Sequence, residues 1–187
     1  SSQTRAGASG IVRGIKRLFS GENFFLNHFT ATRDAQEIIL GPHLVGDIVH
    51  HTLSNGTVIV QGESYLASSH GIDIDTTWQG IGSALFSGES MFWVKCSGTG
   101  SVLLNSFGAI YPISVSGEYV VDTGHIVAFE NTLSFRISKA APSLLDSILG
   151  GEGLVCRFSG TGTLYCQTHN APNFGRSLGP LLKPRKA

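Results

Sequence analysis

Short apolar runs separated by glycine, serine and asparagine recur along this chain, and few of them continue with helical spacing. Phe24-Phe25-Leu26, Glu37-Ile38-Ile39-Leu40, Thr57-Val58-Ile59-Val60, Tyr65-Leu66-Ala67, Ile110-Tyr111-Pro112-Ile113, Ile126-Val127-Ala128-Phe129 and Leu164-Tyr165-Cys166-Gln167 read as short strands. Ile72-Asp73-Ile74-Asp75 alternates strictly, as a strand with one wet face does. Asn55-Gly56 follows Ile48-Val49-His50-His51 and precedes Thr57-Val58-Ile59-Val60, which predicts a hairpin turn. Helical spacing is confined to Ile11, Ile15 and Leu18, to a turn from Pro142-Ser143 through Ile148 stopped by Gly150-Gly151, and to a short helix in the tail. Ser1 to Gly10 reads as a loop or frayed end.

One pattern occurs three times. Gly21-Glu22, Gly88-Glu89 and Gly151-Glu152 each precede an apolar strand, then a basic or imidazole residue (His28, Lys95, Arg157). A small-residue turn follows, as in Gly98-Thr99-Gly100 and Gly160-Thr161-Gly162. The third copy is one residue shorter, which a bulge must absorb, because a slip of one residue turns every later side chain to the other face. A second kind of unit, Gly46-Asp47-Ile48-Val49, reads as returning at Gly124-His125-Ile126-Val127. These repeats predict an all-β, internally duplicated β-sandwich or rolled β-sheet with three pseudo-symmetric units and short connecting helical turns. The expected single domain covers residues 14–182, with units at about 14–80, 81–147 and 148–182.

Composition sharpens this picture. The 24 glycines have no three-residue period and fit many tight turns. Charged residues make up 14% of the chain, against roughly 25% in an average soluble domain, so part of the surface is expected to be interface. The 13 basic and 13 acidic residues cancel, which argues against a broad footprint for nucleic acid or anionic membrane. Cys96, Cys156 and Cys166 form no C-x-x-C pair and read as buried reduced thiols. No apolar run approaches the roughly 20 residues of a membrane-spanning helix.

Gly21-Glu22-Asn23-Phe24-Phe25-Leu26-Asn27, Leu66-Ala67-Ser68-Ser69, Val121-Asp122-Thr123-Gly124-His125-Ile126-Val127-Ala128-Phe129 and Gly150-Gly151-Glu152-Gly153-Leu154-Val155-Cys156 stand in an order that resembles the mitochondrial-biogenesis (Aim-twenty-four) family. The resemblance runs from about Gly14 to Leu182. It implies a fold like that of the trp RNA-binding attenuation protein (TRAP-like), with three small β-sandwich units per chain and assembly into rings. The sequence departs from the family at its start, where members have a further unit of the second kind before the first Gly-Glu copy, and the resemblance implies no established enzyme activity. The family has many bacterial members, so a bacterial cytoplasmic location is expected; its mitochondrial members are linked to inner-membrane organisation, which makes a mitochondrial location the alternative.

Candidate chemistry is sparse. Cupin-type metal enzymes use His-x-His plus Glu, and the histidines His28, His43, His50, His51, His70, His125 and His169 contain no His-x-His. Adjacent His50 and His51 point to opposite faces of a strand. His70, Asp73 and Asp75 have plausible ligand types, but the aspartates read as the polar face of an edge strand. Asp122, Thr123 and His125 are close enough in sequence to suggest a hydrolytic arrangement; turn chemistry by Asp122 is the simpler reading. Glu22, Glu89 and Glu152 read as acceptors for backbone amides or for His28, Lys95 or Arg157 of a neighbouring unit. An RNA-binding ring would need stacking platforms such as Phe92, Trp93, Trp78 or Phe107 beside a basic groove. Arg13, Lys16 and Arg17 with the Lys183–Lys186 tail read instead as solvated ends.

The expectation is therefore a non-catalytic scaffold or binding protein, without a cofactor or metal, acting as a homo-oligomeric β-ring. A cyclic trimer comes first and a dimer second. An RNA-binding ring and a cupin-like metal enzyme are the alternatives.

Overall fold

The computed structural model describes residues 2–4, 26–76, 92–139 and 154–183. It is predominantly β, as expected. A small pair, β1 (Ser2–Thr4) and β2 (Asn27–Phe29), stands apart from an eight-stranded antiparallel sheet. That sheet contains β3 (Ile48–Gln61), β4 (Tyr65–Ser68), β5 (Ile72–Asp75), β6 (Trp93–Asn105), β7 (Ile110–Asp122), β8 (Ile126–Glu130), β9 (Leu133–Lys139) and β10 (Leu154–Gln167). Helix α1 (Ala171–Leu178) closes the described chain, capped by the Asn170 side chain and extended by a 3-10 turn at Gly179–Leu181. Among the described residues no helix is long and apolar enough to cross a membrane.

The strand order is β4-β6-β3-β8-β10-β7, with β5 also on β6 and β9 also on β10. Two blocks follow the same plan: long strand, 3-10 turn, two short strands, long strand. In the first block β4 and β5 lie along one edge of β6 and β3 along the other. In the second, β8 and β9 lie along one edge of β10 and β7 along the other. The registers match. Ile72↔Gly98 has its counterpart in Leu133↔Gly160, and Asp75↔Lys95 in Arg136↔Arg157. The irregularity between Tyr65 and Ala67 on β4 corresponds to the one between Tyr165 and Cys166 where β10 meets β8.

Side-chain hydrogen bonds match as well. The Asn105 amide donates to the Glu63 carbonyl at 3.1 Å, and the Gln167 amide donates to the Gly124 carbonyl at 3.0 Å. The Ser101 amide N–H reaches Ser69 Oγ at 2.9 Å, as the Thr163 N–H reaches Glu130 Oε2 at 2.8 Å.

The blocks join where β3 pairs with β8, as Val58↔Glu130, Ile59↔Phe129 and Val60↔Ala128. There the run Ile126-Val127-Ala128-Phe129 is buried on both faces. Val127 and Ala128 belong to one apolar cluster with Val58, Val60 and Leu104. Ile126 and Phe129 belong to the other, with Ile59, Trp93 and Phe158. Phe129 holds this second cluster by edge contacts to Trp93 (ring centroids 5.4 Å apart), Phe135 (4.9 Å) and Phe158 (5.1 Å).

Several local expectations are corrected. Asn55-Gly56 makes no hairpin: β3 runs straight through, and the register against β6 shifts between Leu53 and Gly56. Asn55 adopts φ +52° and its N–H donates to Thr99 Oγ1 at 2.9 Å. A bulge satisfies the same left-handed preference as a hairpin, and here β6 supplies one partner for both arms. Gly98-Thr99-Gly100 and Gly160-Thr161-Gly162 are likewise interior to β6 and β10 rather than turns. Glycine is required there because φ is +130° at Gly98 and +122° at Gly160. A Cβ would stand 2.3 Å from the Gly71 carbonyl oxygen at Gly98 and 2.9 Å from that of Thr132 at Gly160.

Glu37–Leu40 forms no strand, since among the described residues no neighbouring strand offers it a ladder; Ile39 is 96% exposed. The N-terminal stretch expected as a loop includes β1, because β2 pairs with it. Gly46 is not the counterpart of Gly124. It bridges to Gly108 ahead of β3, whereas Gly124 lies in the 3-10 turn matching Gly62–Ser64. The Gly-Glu pairs and the expected helical turns at 11–18 and 142–148 lie outside the described residues, which show two matched blocks, β3–β6 and β7–β10.

Candidate functional site

Among the described residues, the polar side chains singled out by sequence do not converge on one site. Glu22, Glu89 and Glu152 lie outside the described residues. His28 is exposed on β2, opposite Gln3. Lys95 and Arg157 occupy matched positions on β6 and β10 but face different partners: the register sets Asp75 opposite Lys95 and Arg136 opposite Arg157. Among the described residues neither arginine has a hydrogen-bond or ion-pair partner.

Asp122 and His125 have structural work to do. The Asp122 carboxylate accepts the Gly124 N–H at 2.8 Å and so caps the 3-10 turn Thr123–His125. In the first block Gln61 takes that role, its amide oxygen accepting from Glu63 and Ser64 N–H at 2.9 and 3.2 Å. His125 is held at both ring nitrogens. Nδ1–H donates to the Gln167 carbonyl at 2.8 Å, and Nε2 accepts from the Asn170 amide at 3.1 Å. That pairing places the ring hydrogen on Nδ1 and leaves no nitrogen free to hold a metal. Asn170, itself buried, accepts from the Asn173 N–H at 2.8 Å and thereby starts α1.

The other histidines are dispersed. His50 Nε2 meets Ser101 Oγ at 2.7 Å on the exposed side of β3. His51 turns the opposite way, into a half-buried position 3.1 Å from the Tyr165 hydroxyl. Burial pushes its pKa below 6.5, the Glu130 carboxylate opposes that, and His50 adds to it. His169 bonds Thr168 Oγ1 at 2.8 Å and packs on Phe107. His70 lies in an exposed turn, while Asp73 pairs in register with Ser97, away from a shared centre. Among the described residues no three His, Cys, Asp or Glu side chains are grouped to hold a metal ion.

The three cysteines are free and buried, as expected. Burial pushes each thiol up to about 12, so none is a nucleophile near neutral pH. Trp93 is 4% exposed within the aromatic cluster and offers no stacking face. Phe107 is flanked by His169 and Phe174.

Open strand rather than open chemistry distinguishes the surface. β7 ends the strand order, and among the described residues only β10 pairs with its long edge. Pro112 lies within it, as suits a strand with one unpaired edge. Tyr111, Tyr119 and Val120 on this strand are 42%, 38% and 45% exposed. Sequence reasoning read only Ile110–Ile113 of this strand and did not single out its open edge, nor the amides Gln61, Asn105, Gln167 and Asn170. The signal was the roughly 61-residue offset between the blocks, hidden by the extra Asn55.

Fold and surface together define a β-sheet protein whose reactive side chains mostly brace strands and turns. The chain matches the family model described as mitochondrial biogenesis AIM24 over residues 1–169, and it belongs to that family. An uncharacterised protein of Streptococcus pyogenes serotype M6 is 31% identical over 176 residues, which cover 92% of this chain and 70% of that protein. A crystal structure of a Streptococcus pyogenes protein, solved as a structural-genomics target, superposes with a TM-score of 0.75 at 26% identity. That match covers 97% of this chain and 82% of the other.

Proposed function

We propose that this protein is a non-catalytic scaffold or binding protein of the bacterial cytoplasm, working as a homo-oligomer built from related β units. The single observation that carries this reading is β7: a 13-residue strand at the end of the sheet, with exposed Tyr111, Tyr119 and Val120 along it. Long exposed edges in isolated proteins invite strand pairing, so an edge of this kind is expected to be covered by a partner chain. The engagement of His125, Asp122 and the buried thiols in bracing the fold supports a role without covalent chemistry. The matched plans of the two blocks support descent from a repeated TRAP-like unit, with the first Gly-Glu copy as part of a third.

Light scattering over a dilution series tests the reading. The expected result is a mass at a fixed multiple of 19.8 kDa, three first and two second. A monomer at micromolar concentration overturns it. Stoichiometric iron, manganese or zinc in the purified protein, or RNA affinity persisting at physiological salt, would replace the scaffold reading with one of the alternatives.

A further inference from the structure

The outer face of the second block carries two guanidinium groups side by side. β9 and β10 pair antiparallel with Arg136 directly opposite Arg157. Their chain neighbours Phe135, Ile137, Cys156 and Phe158 pack into the second apolar cluster. Alternation therefore turns both arginines outward, and both are exposed. Directly opposite residues on one face have Cβ atoms about 4.5–5.5 Å apart, so both forks reach one small group held above them.

The next row of the same face adds hydroxyls. Ser134 stands opposite Ser159, two residues along from the arginines. Ser134 Oγ lies 3.2 Å from the Ser159 carbonyl oxygen and 3.0 Å from Ser159 Oγ. With the Ser134 hydrogen on that carbonyl, the Ser159 hydroxyl turns its own hydrogen toward a ligand over the arginines. Glu118 on β7 is opposite Ser159 and brings one carboxylate to this row. Two guanidinium charges against one carboxylate leave the patch positive.

The shared backbone plan does not demand this arrangement. At the matched register of the first block Asp75 stands opposite Lys95, a complementary pair, with Asp73 and Ser97 in the next row. Like charges directly opposite each other cost stability. The second block nonetheless holds two arginines where the first holds an acid and a base.

We propose that Arg136 and Arg157, with the Ser159 hydroxyl, form a binding site for a phosphate-type dianion, either the free ion or a phosphate monoester. Two planar forks supply paired N–H donors for a tetrahedral oxyanion, and their two charges match its own. The site lies within one chain and does not depend on the oligomeric state. A carboxylate of the chain itself, from Glu22, Glu89 or Glu152, is the competing occupant.

Titration calorimetry of the full chain with inorganic phosphate tests the site, at low ionic strength because salt screens an exposed pair. Saturable binding, one ion per chain, is expected. Arg136→Gln and Arg157→Gln should each weaken it by about tenfold or more, with circular dichroism unchanged because both side chains are exposed. Arg157→Lys should weaken it less, since the charge stays while the fork is lost. Glu118→Gln should tighten binding by removing a like charge, and Lys95→Gln, at the matched position of the first block, should leave it unchanged. Phenyl phosphate is expected to bind as well; its failure overturns the monoester and leaves the free ion. Phosphate binding that survives both glutamine changes is that of an adventitious ion only, and overturns the site. Absence of binding overturns it too. Binding that appears only after Glu22, Glu89 and Glu152 are changed together to Gln assigns the pair to the chain's own carboxylate instead.

Discussion

The first block, β3 to β6, and the second, β7 to β10, share backbone pairings but cover their equivalent faces differently. Ile59 of the first block is sealed against Phe129, and its counterpart Val120 in the second is nearly half exposed. Asp75 stands opposite Lys95 in the first block; at the matched position in the second, Arg136 stands opposite Arg157. His51, half-buried beside Tyr165, has apolar Ile113 as its counterpart. What the blocks share is the set of bonds that define the chain path: the turn caps from Gln61 and Asp122, and the returning amides from Asn105 and Gln167. What differs is the side-chain solution on each face, which depends on what lies against it.

The sharpest way to break this comparison is to truncate the two counterparts. Ile59→Ala is expected to cost about 2–5 kcal/mol, by lost transfer energy and a residual cavity. Val120→Ala in the dissociated chain should stay within about 0.5 kcal/mol. Urea denaturation measures both, and equal losses would mean that the faces are equally covered.

Glycine replacements come next. Gly98→Ala and Gly160→Ala are each expected to destabilise by about 1–3 kcal/mol, since both need a positive φ. Gly98 should suffer more, because its added Cβ stands nearer to a carbonyl oxygen. Gly117, with φ +100° and nothing within 4 Å of an added Cβ, should show the strain alone and the smallest loss of the three. Thermal melting ranks them.

His51 gives the comparison a pH axis. Its pKa lies below 6.5 in the folded chain, chiefly through burial, so the unfolded chain binds more protons in that window. Stability from this residue is present above about pH 6.5 and falls as the pH drops below it. His51→Ile, which imports the second block's solution, should remove that part of the acid slope in melting temperatures measured from pH 7 to 5. An unchanged slope would assign it elsewhere.

The smallest expected effect is a gain. Arg136→Asp makes the second block's exposed pair complementary like the first block's, and should stabilise by about 0.2–1 kcal/mol at low salt, fading as salt is added. A loss would show that the two guanidinium groups are held for another reason.

Much of this protein was legible in its residues. Short apolar runs broken by glycine point to a predominantly β chain, because helical spacing is confined to a few short stretches. The buried thiols follow from three cysteines without pairing motifs, and the Asp122 turn from a carboxylate that reaches its own backbone. Local stereochemistry was also legible, but not its use. Asn55 takes the left-handed conformation that Asn-Gly favours, yet spends it on a bulge, because β6 lies alongside both arms. Gly98 and Gly160 take positive φ inside strands rather than at turns. The fate of Ile59 and Val120 was not legible at all. Both are apolar residues on long strands, and only the pairing of β3 with β8, across some 70 residues of sequence, buries one and leaves the other open. Burial depends on what arrives from elsewhere in the fold, and local pattern carries no record of that arrival.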